Sequence, residues 1–100
     1  MLKNLTVIEG FLFRKPCKSE NLTSTGDKLF TYDTCLAQWT DSYLIINMTR
    51  YSASSSSHFN ILWALCCKYL KKHERECVDS VPKDTKDLLD YVNSKRHEIM

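Results

Sequence analysis

The run Ser54-Ser55-Ser56-Ser57-His58 holds the densest set of groups in this chain that could do chemistry. Hydroxyls and free amides at the start of a helix form a natural anion pocket. Arg50 and His58 flank the run and add charge, so Ser55, Ser56 and His58 are candidate contacts for a phosphate of nucleic acid. The plainer reading is a capping turn whose serines satisfy backbone amides. No Gly-Lys-Ser/Thr element is present, so this is not a nucleotide-hydrolysing loop. A nucleophile needs a base and an orienting acid. Cys35, His58 and Asp33 can be grouped on paper, but no nucleophile-elbow pattern surrounds them, and no catalysis is expected.

The five cysteines are Cys17, Cys35, Cys66, Cys67 and Cys77. An odd count with an adjacent pair argues against a disulfide framework and for a reducing compartment, the cytoplasm. Cys66 and Cys67 point about 100° apart on a helix and do not bond to each other. His73 and Cys77 have a spacing that one helix face could use. Two further ligands are missing, so neither metal nor cofactor is expected.

Two more groups of residues suit binding. Tyr32, Trp39, Tyr43 and Tyr51 lie on or beside a strand hairpin, where aromatic side chains stack on bases or anchor a protein interface. Lys68, Lys71 and Lys72 interleave with Tyr69, a pattern that touches a nucleic-acid backbone or simply forms a solvated helix end.

The elements that must position these groups follow from periodicity. Leu5 to Phe13 alternates as a first strand, apolar on both faces, with a bulge at Glu9-Gly10. Arg14 to Asp27 is polar, contains Pro16 and Gly26, and reads as a long loop. Lys28 to Thr40 is a second strand and Tyr43 to Tyr51 a third, joined by a turn at Asp41-Ser42 with Trp39 and Tyr43 as cross-strand neighbours. Ser52 to Ser57 ends the sheet, with a serine near 55 or 56 as N-cap. A helix from about Ser56 to His73 carries the stripe Phe59, Leu62, Trp63, Cys66, Tyr69 and Leu70. Glu74 to Val81 is a connector. Pro82 opens a final helix whose sticky face is Leu88, Leu89 and Val92.

The expected fold is therefore α+β, a three-stranded, mainly antiparallel sheet with two helices packed on one face. One hundred residues with a 43% hydrophobic fraction fit a single domain over 1–100. Such a fold leaves the second sheet face bare, for a partner or a second copy in a homodimer to cover. A formal charge of +2 excludes a chain held on its partner mainly by phosphate contacts. No apolar run reaches the length of a membrane helix, so no membrane partner is expected.

Tyr32-x-Thr34, Leu36-Ala37, Leu44-x-Ile46-Asn47-x-Thr49-x-Tyr51-Ser52 and the serines before His58 resemble a small domain of phage, plasmid and other mobile-element proteins. Asp33 stands where that family tends to carry glycine, and serines stand in place of its threonines. The resemblance covers the middle third and brings no activity with it. It implies a mobile-element protein that binds a host protein or ribonucleoprotein complex, as anti-CRISPR inhibitors do. The interface would comprise Tyr32, Trp39, Tyr43, Arg50, Tyr51 and the Arg14–Asp27 loop, with the serine turn at its edge. The alternative is a small nucleic-acid-binding regulator using Arg50, Lys68, Lys71 and Lys72.

Overall fold

The computed structural model describes residues 3–32, 34–49, 53–82 and 85–99, and the side chains of all of these but 53–56 and 95–99. The elements are α1 (Asn4–Leu12), β1 (Pro16–Lys18), β2 (Leu22–Thr25), β3 (Lys28–Thr31), β4 (Thr34–Trp39), β5 (Leu44–Asn47), α2 (Ala53–Tyr69), a 3-10 turn (Lys72–Glu74), β6 (Arg75–Val78) and α3 (Leu88–Ile99). The α+β class is as expected, but among the described residues six strands and three α-helices replace the expected three and two.

The first correction is at the N-terminus, where a helix replaces a strand. Val7, Ile8, Phe11 and Leu12 are buried, and 7/11 and 8/12 are helical i, i+4 pairs. The apolar run is short enough to satisfy either period, and tertiary burial selects the helix. Gly10 makes no bulge. A Cβ there would lie 2.9 Å from Cys17 Sγ, so its bare backbone lets β1 pass close to the helix.

The second correction is the Arg14–Asp27 loop, which contains β1 and β2. Alternation exists there, but serines carry half of it: Leu22 and Ser24 are buried, and so is Ser19 just before them. Each serine has partners. Ser24 Oγ donates to Lys15 O and accepts from the Gly26 N–H, and Ser19 Oγ accepts from the Leu22 N–H. A buried hydroxyl with its bonds made is tolerated like an apolar group.

All neighbouring strands pair in sequence order. β1 to β5 are antiparallel, and β6 joins β5 in parallel after the α2 crossover. The expected second strand is two strands folded at Tyr32, whose φ of +55° makes the hairpin corner. Between β3 and β4 the register shifts, so that Leu29 faces Ala37 and Phe30 faces Cys35. Leu36 is the extra residue of this β-bulge. It and Ala37 therefore both join the core under α1 and α2, while Cys35 turns to the other face. The β4–β5 turn is set by Thr40, whose hydroxyl donates to Tyr43 O and accepts from the Ser42 and Tyr43 N–H groups. Trp39 pairs with Leu44, so Trp39 and Tyr43 are not cross-strand neighbours.

α2 begins at Ala53, so Ser54 to Ser57 lie inside its first turns and do not cap it. Burial of His58, Phe59 and Leu62 favours extending the helix back through serines of middling propensity. It stops at Tyr69, short of the expected His73. Lys71 is extended, its N–H held by Glu74 Oε1 at 2.8 Å, and the expected connector contains β6. α3 starts at Leu88, well after Pro82. Asp87 caps it by accepting the Asp90 N–H at 3.0 Å.

The helices do not share one face. α1 and α2 cover one core, built on Leu22, Leu29, Leu36, Leu44 and Ile46. α3 covers the other with Leu88 and Val92 against Cys35, Ile45, Val81 and, partly buried, Phe30 and Val78. Strands apolar on both faces need two layers. The second layer comes from the chain itself, which removes the reason to expect a second copy there. Gln38 fixes α3 in place: its amide donates to Asp87, and its carbonyl accepts the Leu88 N–H at 2.7 Å. Lys28 adds an ion pair to Asp87 at 3.4 Å. Burial pushes the Asp87 carboxyl up. The Asp90 N–H, the Gln38 amide and the Lys28 ammonium outweigh that and hold it below its ordinary value.

Candidate binding surface

The end of α1 builds the centre of the site. The Lys15 N–H reaches back to Gly10 O and the Arg14 N–H to Phe11 O, each at 2.9 Å. This is the Schellman pattern, and its left-handed position usually holds glycine. Here it holds Arg14, with φ +60°. The side chain makes use of that backbone conformation. Its guanidinium carbon lies 4.5 Å from the centre of the Trp39 ring, and its Nη2 donates to Thr40 O at 2.9 Å.

Trp39 is itself held firmly. Its Nε1 donates to Phe11 O at 2.9 Å, and its backbone N–H donates to Asp27 O at 2.7 Å. Gly26, with φ +100°, brings that turn against Arg14; a Cβ there would lie 3.2 Å from Arg14 O. Arg14, Asp27, Trp39, Thr40, Asp41, Ser42, Tyr43 and Leu89 thus line an open pocket of about 320 Å³.

Phe13 precedes Arg14 and points elsewhere. It is 60% exposed and meets the 42% exposed Tyr69 edge to face, at 5.7 Å between centroids. Lys68 Nζ lies 5.3 Å from the Tyr69 ring centre. Two residues at one helix end therefore link the pocket to a second, aromatic and cationic patch.

The sequence candidates divide. Trp39 and Tyr43 line one pocket. Tyr32 caps the hairpin at the far end of β4, roughly 20 Å away at 3.3 Å per residue, and its hydroxyl donates to Asn21. It does not join them. Lys68 lies beside Tyr69, and Lys71 and Lys72 follow after the helix ends, Lys71 extended and Lys72 opening the 3-10 turn. Arg50, Tyr51 and Asp33 lie outside the described residues, as do the side chains of Ser55 and Ser56. Arg14 and Asp27, the two ends of the segment expected at the interface, line the pocket with Trp39 and Tyr43, whereas Phe13 and Leu89 were not expected there. The only cue to Arg14 was its place at the start of a polar segment after an apolar one.

His58 has a structural position. Its Nε2 accepts from the Asn4 amide at 3.2 Å, which leaves Nδ1 protonated and donating to Thr31 Oγ1 at 2.8 Å. Asn4 Oδ1 accepts from Ser19 Oγ at 2.7 Å, so the chain of bonds ties α2, α1, β3 and the β1–β2 turn together. Burial lowers the His58 pKa. Cys35 lies across the sheet from it. Burial pushes that thiol up to about 12, and its Sγ contacts its own strand at Ala37 O. The grouping of Cys35 with His58 is therefore undone by the sheet that separates them.

Burial likewise raises Cys66 to about 12. His73 sits in the 3-10 turn and Cys77 in β6, so they share no helix face, and no metal-binding group of three side chains occurs among the described residues. Asn47 and Thr49, of the Asn-x-Thr-x-Tyr-Ser stretch, act as backbone ties: Asn47 donates to Cys35 O at 3.0 Å, and Thr49 Oγ1 accepts the Val81 N–H at 2.8 Å.

Comparison with family models, curated proteins and solved structures finds no match. The class that the fold and site define is an α+β protein with a six-stranded mixed sheet covered on both faces and an arginine–tryptophan pocket at one end. No helix among the described residues is long and apolar enough to cross a membrane.

Proposed function

We propose that this chain is a non-enzymatic binding protein that docks on a host defence complex and blocks it, in the manner of an anti-CRISPR inhibitor. The observation that carries the binding reading is Arg14. It occupies a left-handed position that costs about 1 kcal/mol for a residue with a Cβ, and its guanidinium is placed on Trp39 at the mouth of a pocket also lined by Tyr43. Arginine, tryptophan and tyrosine are the types that dominate interface energy. The groups suited to catalysis point the other way: Cys35 is buried and protonated, and both ring nitrogens of His58 are engaged. The host-defence target rests on the likeness of Asn47–Ser52 and its flanks to mobile-element domains.

The test is a phage-challenge assay in cells carrying a CRISPR system, with nuclease-treated pull-down of the effector. Wild-type protein should relieve interference and retain the effector after nuclease. Arg14→Gly, which suits the turn and removes the side chain, should lose both. Absence of protection across effector types, with recovery abolished by nuclease, would sink the proposal.

A second reading, a nucleic-acid-binding regulator, is favoured by one observation. Lys68, Lys71 and Lys72 are exposed around Tyr69, which is in ring contact with Phe13 ahead of Arg14 and Lys15.

A further inference from the structure

We infer that the Phe13–Tyr69 pair is a stacking platform for single-stranded nucleic acid, with Lys15, Lys68, Lys71 and Lys72 as its phosphate contacts. This rests on the nucleic-acid reading and names both the strand form and the site. Four large hydrophobic side chains are exposed among the described residues: Leu5, Phe13, Tyr32 and Tyr69. Tyr32 is tied to Asn21 through its hydroxyl. Phe13 and Tyr69 come from segments 56 positions apart and meet at 5.7 Å, with their rings inclined at 66°. Edge-to-face contact leaves ring surface open to a third aromatic group, and every base offers one.

The charges next in sequence to the two rings are predominantly positive, with Glu9 and Glu74 as the nearby acids. Arg14 and Lys15 follow Phe13; Lys68 precedes Tyr69, and Lys71 and Lys72 follow it. All five residues are exposed. Arg14 is committed to Trp39 and Thr40, which leaves the four lysines. Glu74, the nearest acid in sequence on the α2 side, is engaged at the Lys71 N–H. Exposed aromatic rings whose chain neighbours carry ammonium groups match the alternation of base and phosphate along a single strand. A duplex keeps its base faces stacked internally and offers only phosphates.

Fluorescence anisotropy with labelled oligothymidylate, and with a duplex of equal length, tests the inference on the full chain. The single strand should bind more tightly than the duplex. Its log affinity should fall with log salt at a slope near −2.8, about −0.7 for each of the four lysine–phosphate contacts. Phe13→Ser and Tyr69→Ser should each weaken the single strand by about tenfold and leave the duplex unchanged. Lys71→Gln with Lys72→Gln should flatten the salt slope by about 1.4. Equal binding of both forms, unaffected by Phe13→Ser and Tyr69→Ser, would overturn the platform and leave the nucleic-acid reading standing. Absence of binding to either form at low salt would overturn both. Full competition by polyglutamate, with no effect of the aromatic variants, would replace the platform with simple attraction between charges.

Discussion

The two ends of α2 are opposites. Near the N-terminal end His58 is buried, and its ring nitrogens, the Asn4 amide and the Ser19 hydroxyl form one closed chain of hydrogen bonds. At the C-terminal end Tyr69 is exposed beside Phe13, and the lysines around it reach into solvent. The first end contains the residue types most often associated with chemistry, yet there they hold four elements in place. The second end looks like an ordinary solvated helix terminus, yet it is where the surface is left unsatisfied. A polar group with every bond made contributes to the fold, whereas an exposed aromatic among cations is free to act on something else.

The sharpest way to break this comparison is His58→Ala. It removes a buried ring and leaves the Asn4 amide and Thr31 hydroxyl without their partner. Unfolding free energy should fall by about 3 kcal/mol, as read by urea denaturation. A loss below about 1 kcal/mol would mean that the network is not holding the elements.

The next effect is on pH. The folded state depresses the His58 pKa below its ordinary value of 6.5. The unfolded chain therefore binds the proton first on acidification. The contribution is complete above pH 6.5 and is lost as pH falls through the folded pKa. Denaturation midpoints should drop between pH 7 and pH 5, and His58→Gln should flatten that limb. An unchanged pH profile in the variant would assign the effect to other groups.

Arg14 gives a smaller effect that discriminates between backbone and side chain. Arg14→Gly relieves the left-handed position and loses the stacking on Trp39, two terms of similar size, so stability should change by less than about 0.5 kcal/mol. Arg14→Ala loses the stacking and keeps the strain, so it should be about 1 kcal/mol less stable than Arg14→Gly in thermal melts. Equal stability of the two would show that the turn is not strained.

The smallest effect belongs to the exposed end. Tyr69→Ser should shift unfolding free energy by no more than about 0.5 kcal/mol, because an exposed ring contributes little to the fold. A large loss would make the Phe13–Tyr69 contact structural and would erase the contrast between the two ends.

Much of the sheet was legible. Residues 28 to 49 alternate clearly enough to expose strand character and a hairpin, and the Phe59–Leu62–Cys66 stripe announces a helix. The break at Tyr32 was hidden because both halves are good strand sequence, and only the paired register shows the fold-back. β6 was hidden because Arg75 to Val78 is an edge strand with one apolar contact face, too short to show a period. In the candidate site, Trp39, Tyr43 and Lys68 were visible as types. Arg14 was visible only as the start of a polar segment, and the grouping with Phe13 and Leu89 was not visible, because the pocket joins residues as far apart as Arg14 and Trp39, 25 positions, and Tyr43 and Leu89, 46 positions.

The sequence by itself determined the α+β class, the central hairpin region and the body of α2, because local periodicity suffices for these. The tertiary structure alone decided that Leu5–Phe13 belongs to a helix, that serines fill strand positions, and that α3 covers the second face of the sheet. A short apolar run satisfies two periods equally well, and a buried hydroxyl is acceptable only once its partners are in place. Neither condition is local, so each is settled by what the rest of the chain brings alongside.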